Sequence, residues 1–350
     1  MEKATISVAF VEGMLEGVRA KGLSVEELLE QVGLSSVLLS HPHARVSATT
    51  YTMLMRLIVQ LLDDEVFGQD SRRMKVGSFA MLCRNVIHCP TLDKAMIQTV
   101  RFFDLMLDDL TLTVRRDGGG GRVVLRDVDA ALPVRLFAHE TLMMFIHRLA
   151  CWLVNRRIPI EQVAFRHPRP AHAEEYEQMF CGEMSFDQPQ SHFAIAERYF
   201  DLPVVRSEAE LKEFLTIAPG NLLIQYKNSQ SLAAQITRRL RVMPPEDWPG
   251  FEEMAESLNL SPSTLRRRLE AEDKSFQAIK DLLRRDMAIN LLSDTRKSVM
   301  EIAADLGFAE TSAFHRAFKK WTGANPGEYR RSSRPYCPPI SHTSPSDPSL

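Results

Sequence analysis

Apolar residues in the N-terminal part of the chain recur at two different spacings, which predicts a mixture of helices and strands. The first predicted helix ends at Gly22, and its apolar face consists of Val8, Val11, Met14, Leu15 and Val18. Residues 110–114 and 122–126 instead alternate as strands do, and the glycine run between them predicts a β-hairpin. A long helix follows Pro133. These elements predict an α+β domain over residues 1–216.

Two further helices of this domain are preceded by residues that can cap them, Ser47 and Thr91. The first has a predicted apolar face made of Tyr51, Leu54, Ile58 and Leu61. The second is expected to run to about residue 107. Short strands near 162–165 and 184–186 flank a predicted helix around 173–179. The domain therefore carries strands at its middle and towards its C-terminal end, with helices before and between them.

The strand signal disappears after a predicted linker at residues 217–229, which contains Pro219-Gly220-Asn221. Residues 230–331 consist of short amphipathic segments separated by Pro, Gly or Ser, which predicts an all-α domain. The tail, residues 332–350, is rich in Pro and Ser and poor in apolar residues, so we expect it to be disordered. The predicted fold class is an α+β N-terminal domain followed by an all-α C-terminal domain.

Two segments of the C-terminal domain, about residues 254–269 and 302–318, repeat the same pattern. Each consists of a short helix with a small residue for close helix contact, an apolar residue in a tight turn, and a second helix with two apolar residues. This pattern predicts two helix-turn-helix motifs. Their predicted core residues are Ala255, Leu260 and Leu265 in the first motif, and Ala303, Gly307, Phe308, Phe314 and Phe318 in the second.

The second helix of each motif has the polar face that a helix in the DNA major groove requires. Small hydrogen-bonding residues lie near its start, and arginine, which can bond the guanine edge with two hydrogen bonds, follows one turn later. We predict these base-facing residues: Ser263, Thr264, Arg266, Arg267, Thr311, Ser312, His315 and Arg316. Neither helix shows an acidic residue on this face. A continuous helix at 275–292 is predicted to hold the two recognition helices about 34 Å apart, one turn of DNA.

Helix starts in these motifs are well specified by their cap residues. Ser261 can cap the first recognition helix, and Pro262 follows at its first position. Ser298 and Glu301 form a capping-box pattern before the second motif. Free N–H groups at a helix start can bind phosphate, so we predict a phosphate contact at Ser298. We also predict phosphate contacts at Lys319 and Lys320 on the second recognition helix.

Charge is distributed unevenly along the 350 residues, although the net charge is only −2. Residues 261–334 carry 15 Lys and Arg against 10 Asp and Glu, and the rest of the chain is acidic. The basic part includes the triplet at 266–268 and the pair Arg284-Arg285. The near-neutral net charge therefore hides a basic domain, which favours a nucleic-acid-binding function for that domain.

The second motif resembles the signature of the AraC/XylS family of bacterial transcription regulators. The matching residues include Ala303, Leu306-Gly307-Phe308, Trp321-Thr322-Gly323, Pro326 and Tyr329-Arg330. This resemblance covers about residues 229–331. It implies a seven-helix DNA-binding domain in which the base-facing residues given above read promoter DNA.

The N-terminal domain is more distantly similar to the corresponding domain of the ornithine-utilisation regulators of that family. Arg45-Val46, 163–168 and 180–186 carry this resemblance. It implies a small-molecule effector and a homodimer, with RNA polymerase as the partner of an activator. The chain shows no jelly-roll series of strands, so it departs from the sugar-binding members, and a sugar effector is not favoured. The residues that bind the effector are not identified by the sequence.

Other functions lack support in the sequence. No phosphate-binding loop, dinucleotide fingerprint or nucleophile elbow is present, so we predict no catalytic residues and no cofactor. Neither the five cysteines nor the histidines have metal-ligand spacing, so no metal site is predicted. No apolar stretch is long enough for a membrane span, and the start lacks a signal-peptide pattern, which favours a cytoplasmic protein without membrane contact.

Two alternatives to an effector-controlled regulator remain open from the sequence. In the first, the N-terminal domain only dimerises, and the protein regulates constitutively. In the second, the N-terminal domain is an enzyme whose acid, base or nucleophile converge only in the folded structure.

Overall fold

The computed structural model describes residues 5–116, 120–180, 183–217, 232–272, 274–294 and 296–332. The predicted hairpin turn at 117–119, the predicted linker beyond Ile217 and the predicted tail beyond Ser332 lie outside the described residues.

The N-terminal domain alternates helices with short strands. Its elements in chain order are β1 (Thr5–Ser7), α1 (Val8–Ala20), α2 (Val25–Gln31), α3 (Ser36–Leu39), β2 (Arg45–Ser47), α4 (Ala48–Leu62), α5 (Ser78–Val86), α6 (Leu92–Met106), β3 (Leu110–Arg116), β4 (Gly120–Asp127), α7 (Leu136–Leu153), β5 (Gln162–Ala164), α8 (Glu174–Met179), β6 (Glu183–Ser185), β7 (Ser191–Ala196) and α9 (Glu208–Ile217).

Five of the strands form one sheet in the order β3-β4-β7-β5-β6. All neighbours are antiparallel except the parallel pair β5 and β6. β1 and β2 form a separate antiparallel ribbon, in which Thr5 pairs with Ser47 and Ser7 with Arg45. Helix α7 is buried along most of its length and packs against the sheet. The predicted α+β class is confirmed. The sequence pattern did not indicate the strands β1, β2 and β7 or the helices α3, α5 and α9.

Two expectations about helix faces and caps are wrong in detail. In α4 the buried stripe is Tyr51, Leu54, Met55 and Ile58, so Leu61 falls at its edge and is 50% exposed. Thr91 precedes α6 but makes no side-chain cap. The N–H groups of Leu92 and Asp93, the first two of α6, are instead accepted by the main-chain carbonyls of residues 202 and 200.

One glycine allows the first helix to touch a neighbouring loop directly. A Cβ atom at Gly17 of α1 would lie 1.8 Å from the carbonyl oxygen of Phe67. No side chain fits at that distance, so α1 and the loop after α4 are in main-chain contact. This contact fixes the loop at 63–77 against the body of the domain.

The C-terminal domain contains seven helices within the described residues and no strand there. They are α10 (Leu232–Arg241), α11 (Phe251–Ser257), α12 (Pro262–Glu270), α13 (Phe276–Asp294), α14 (Val299–Asp305), α15 (Thr311–Thr322) and α16 (Pro326–Ser332). A short 3-10 turn, Pro245–Asp247, lies between α10 and α11.

The two helix-turn-helix units belong to different hydrophobic cores. The core of the first unit, with α10 and the start of α13, is a cluster of its own that includes Leu240, Leu265 and Leu283. The core of the second unit, including Phe314 and Phe318, is continuous with the core of the N-terminal domain. The second unit is therefore docked on the N-terminal domain as part of one packed body.

Buried polar contacts join the ribbon to helix α13. The Thr5 hydroxyl donates to Asp286 Oδ1 at 2.6 Å and accepts from Arg45 Nε at 2.8 Å. Arg45 also donates to the carbonyl of Thr5 and pairs with Glu175 of α8. Its own carbonyl accepts from the Tyr329 hydroxyl of α16. Since Thr5, Arg45 and Asp286 are all buried, each group in this network depends on the others for its hydrogen bonds.

Replacing Thr5 by Val tests this network. The substitution keeps the shape but leaves Arg45 Nε without an acceptor and Asp286 without a donor, which is expected to cost about 2 kcal/mol or more. We expect the apparent melting temperature of the full chain to fall by roughly 3 °C or more. Thr52→Val is the matched control, because that hydroxyl only bonds back to the Ala48 carbonyl in α4. Equal melting temperatures for the two variants would contradict the proposed role of Thr5.

Candidate nucleic-acid interface

The first helix-turn-helix unit is formed by α11 and α12. Ala255 and Leu265 are fully buried between the helices, and Leu260 in the turn is partly buried. The main-chain N–H of Leu260 bonds the Ala255 carbonyl at 2.9 Å. Asn259 takes the left-handed conformation in this turn, at φ 55°, as asparagine does more readily than most side chains.

The second unit, α14 and α15, repeats this geometry. Ala303, Phe314 and Phe318 are buried, and the N–H of Phe308 bonds the Ala303 carbonyl at 3.0 Å. Gly307 is left-handed at φ 72°, at the position that Asn259 occupies in the first unit. The two motifs therefore have the same turn, built once with glycine and once with asparagine.

The first recognition helix, α12, starts at Ser261, whose hydroxyl accepts from the Thr264 N–H at 3.2 Å. The hydroxyls of Ser263 and Thr264 lie 3.0 and 2.8 Å from the same Ser261 oxygen. Arg266 and Arg267 are exposed. The Arg266 guanidinium lies over the Phe251 ring of α11, with 5.6 Å to the ring centroid. Among the described residues, no aromatic ring lies against the guanidinium of Arg267 in this way.

The second recognition helix, α15, exposes Ser312 and Arg316 and half-buries Thr311 and His315. Glu310 is the residue before its first turn, and its carboxylate accepts a hydrogen bond from the Ser312 hydroxyl at 2.9 Å. The helix itself carries no acidic residue, as expected, but Glu310 places a carboxylate directly before its first turn. A carboxylate here can accept from the N4 amino group of cytosine, but it repels nearby phosphates.

The predicted phosphate contacts lie on exposed residues at two places. Lys319 and Lys320 are exposed in the last turn of α15. At the start of α14, the Ser298 N–H donates to Glu301 at 2.6 Å and the Ser298 hydroxyl accepts the Glu301 N–H. These bonds lower the pKa of Glu301. The Ser298 N–H already donates within the capping box. The hydroxyl proton of Ser298 is therefore the donor that this residue can offer to a phosphate.

Arg284 of α13 joins the two units from the inside. Its guanidinium lies 5.3 Å from the centroid of the Trp248 ring and 5.4 Å from that of Phe308. Its Nε donates to the Leu306 carbonyl at 3.1 Å. A Cβ atom at Gly307 would lie 3.1 Å from the Pro245 carbonyl, so the second turn also touches the 3-10 turn before α11. These contacts supplement α13 in setting the separation of the recognition helices, and the expected spacing of about 34 Å stays a prediction.

The arginine pair at 284–285 does not belong to the DNA-facing surface. Arg284 is enclosed by aromatic rings, and the Arg285 side chain is only 17% exposed beside Asp286. Burial lowers the pKa of both guanidinium groups. Sequence patterning could not distinguish these arginines from the exposed triplet at 266–268, because both occur in amphipathic helices of the basic domain.

Two family models together match most of the chain. The model described as the arabinose-binding domain of AraC transcription regulators, N-terminal part, matches residues 22–204. A helix-turn-helix domain model matches residues 254–332, which contain both units described above. The chain belongs to the AraC family of transcription regulators. It is a DNA-binding transcriptional regulator with an N-terminal domain of the effector-binding type.

Relatives of this AraC-family chain match it nearly end to end. The chain is 28% identical to an ornithine utilization regulator of Pseudomonas aeruginosa, over 93% of its own length and 96% of that protein. It is 26% identical to the regulator VirS of Mycobacterium tuberculosis, over 82% of its length and 85% of that protein. Among solved structures, the regulator CdpR of Pseudomonas aeruginosa is 19% identical with a TM-score of 0.32, over 91% of this chain and 97% of that one.

One buried trio in this regulator has the residue types of a catalytic triad. His139 Nδ1 lies 2.7 Å from Ser191 Oγ, and His139 Nε2 lies 3.3 Å from Asp127 Oδ1. Ser191 and His139 have no exposed surface, and Arg166 bonds both Ser191 and Asp127. A nucleophile must reach its substrate, so this trio links α7 to the sheet and does not supply the active site that the enzyme alternative needs.

In the described part of the chain, no group of three or more His, Cys, Asp or Glu side chains is arranged to hold a metal ion. No helix among those residues is long and apolar enough to cross a membrane. Burial raises the pKa of the Cys151 thiol to about 11 and raises that of Cys83 further, so neither is a ready nucleophile at neutral pH.

Replacing Gly307 by Ala tests the contact between the two units. The new Cβ is strained at φ 72° and presses on the Pro245 carbonyl, so we expect a loss of roughly 1–3 kcal/mol and weaker DNA binding. Gly327→Ala in α16 is the matched control, because a Cβ there meets nothing within 4 Å. Thermal unfolding and gel-shift titration measure the two effects. A Gly307→Ala protein as stable as the control would disprove the tight contact.

Proposed function

We propose that this chain is a one-component regulator in which a small molecule, bound by the N-terminal domain, changes how both helix-turn-helix units hold promoter DNA. The shared core of the second unit and the N-terminal domain is the observation that carries the proposal. Since α13 bears both units and is bonded to the ribbon through Thr5 and Asp286, a change in the N-terminal domain reaches both recognition helices.

Base reading is assigned to the exposed faces of α12 and α15. Ser263, Thr264, Arg266 and Arg267 act on the first half of the site. Thr311, Ser312, His315 and Arg316 act on the second. Ser298, Lys319 and Lys320 contact phosphates. Arg266 must leave the Phe251 ring to reach a base, whereas Arg267 and Arg316 are already exposed. Glu310 adds a carboxylate that favours cytosine beside Ser312.

We further propose that the protein acts in the cytoplasm as an activator that contacts RNA polymerase, and that it forms a homodimer. The name of the Pseudomonas relative connects that protein with ornithine utilization, and the shared length supports a metabolite as effector here too. In vitro transcription from a bound promoter, with and without added metabolites, tests the sign of regulation. Light scattering tests the dimer. A constitutive regulator would show the same transcription under every metabolite tested.

Arg316→Ala is expected to weaken binding to the specific site by roughly 1–3 kcal/mol and to relax base choice at one position, because Arg316 is exposed on the base-facing side of α15. Arg331→Ala is the control: it removes the same charge from an exposed position on α16. Gel-shift titration against a library of sites, first selected by chromatin immunoprecipitation, measures both. A uniform loss across all sequences would make Arg316 a phosphate contact.

The double variant Lys319→Ala, Lys320→Ala is expected to lower the salt dependence of DNA binding without changing base preference. Each lost phosphate contact reduces the slope of log affinity against log salt concentration by about 0.9, so the pair should reduce it by up to about 1.8. Arg268→Ala, on the flank of α12, provides the comparison. An unchanged slope in the double variant would remove both lysines from the interface.

A further inference from the structure

A cavity of about 350 Å³ lies inside the N-terminal domain. It is lined by residues of α4, the loop at 63–77, α5, the end of α6, the start of β3 and α7, and by one residue of α9. Its size falls in the lower part of the ~300–1,000 Å³ range typical of small-molecule sites. Most of the lining is aromatic or aliphatic, including Phe67, Phe79, Phe103, Phe137, Phe145 and Leu142.

Few charged side chains line the cavity, and they differ in how many hydrogen bonds they already make within the protein. Asp70 accepts N–H bonds from Arg72, Asp108 and Asp109, so its carboxylate is occupied by the main chain. Glu65 accepts only two, from Gly77 at 2.9 Å and Phe79 at 2.7 Å. A carboxylate has about four lone-pair sites, so Glu65 retains capacity for a donor that enters the cavity. Burial raises the pKa of Glu65 above its ordinary value.

We propose that this cavity is the effector site and that it takes a small molecule with a hydrophobic, ring-containing body and one cationic or N–H group directed at Glu65. The proposal rests on the proposed function, because it gives the sensing domain its ligand. A sugar would leave several hydroxyls without partners against the aromatic lining. An anion would meet the carboxylates of Glu65 and Asp70, whereas Arg56, the one Lys or Arg of the lining, lies at the exposed rim and donates to the Thr216 carbonyl.

The cavity also touches the helix that leads towards the DNA-binding domain. Leu215 of α9 lines it, and Arg56 at its rim donates to the carbonyl of Thr216 at 3.4 Å. Phe214 of the same helix stacks on Trp152, with 4.2 Å between ring centroids. Helix α9 ends at Ile217, and the next helix in the described chain, α10, already belongs to the DNA-binding domain. A ligand in the cavity therefore contacts the last helix of the sensing domain.

The first test uses the full chain without DNA and the neutral fluorescent amine N-phenyl-1-naphthylamine. We expect saturable binding of one probe per chain. Ala80→Trp places a large ring in the cavity wall on α5 and should weaken probe binding by about tenfold or more. Met81→Trp adds the same ring to the same helix at a position that is 68% exposed and does not line the cavity, so it should bind as wild type. Equal binding by the two variants would overturn the assignment of the site.

The second test compares 4-phenylbutylamine with 4-phenylbutyrate, which share a body and differ in charge, as competitors of the probe. We expect the amine to bind about tenfold more tightly, and Glu65→Gln to bring the two affinities close together. Tighter binding of the carboxylate by the wild-type protein overturns the proposed ligand class whether or not the variant folds. Gel-shift binding to the selected promoter is measured in parallel. Intact DNA binding with no probe binding refutes the cavity alone, whereas loss of sequence-specific DNA binding refutes the regulator.

Discussion

The Thr5 hydroxyl, held between Arg45 and Asp286, is the contact on which the arrangement of the two domains depends. It brings together side chains that are 281 positions apart in the chain, and it does so where water cannot replace a lost partner. A buried carboxylate and guanidinium are stable only when their hydrogen bonds are satisfied. The ribbon that carries Thr5 therefore packs on α13 in one position, and the packing of the second helix-turn-helix unit depends on that position.

Because of this contact, the two DNA-binding units are attached to the rest of the protein in different ways, although their sequence patterns match. The second shares its core with the N-terminal domain, whereas the first has a core of its own and reaches the rest through α13, Arg284, the contact of Gly307 with Pro245 and the exposed Lys274–Glu177 ion pair. Packed cores switch between discrete arrangements more readily than they deform. Any rearrangement of the two recognition helices is therefore concentrated where Arg284 lies between Trp248 and Phe308.

Local sequence signals were sufficient for features that depend on neighbours in the chain. Ser261, the Ser298–Glu301 capping box and Gly307 have the bonds and backbone angles that their positions indicate, and the α+β class follows from apolar spacing. Features that depend on distant residues were missed. The three-residue strands β1 and β2 are too short to show a period. The inward orientation of Arg284 depends on Trp248, and the cavity is lined by seven separate segments, so neither could be derived from one stretch of sequence.

The chain connection after α9 and the ribbon link the sensing domain to opposite ends of the DNA-binding domain, and Lys274 also pairs with Glu177 of α8 at 3.5 Å. The chain enters it after α9, beside the first unit, and the ribbon grips α13 and α16 beside the second. A ligand that contacts Leu215 acts on the first connection, while the second stays fixed by buried hydrogen bonds. Under the proposed function, the ligand therefore acts on α9, while the buried Thr5 network holds the second unit on the N-terminal domain.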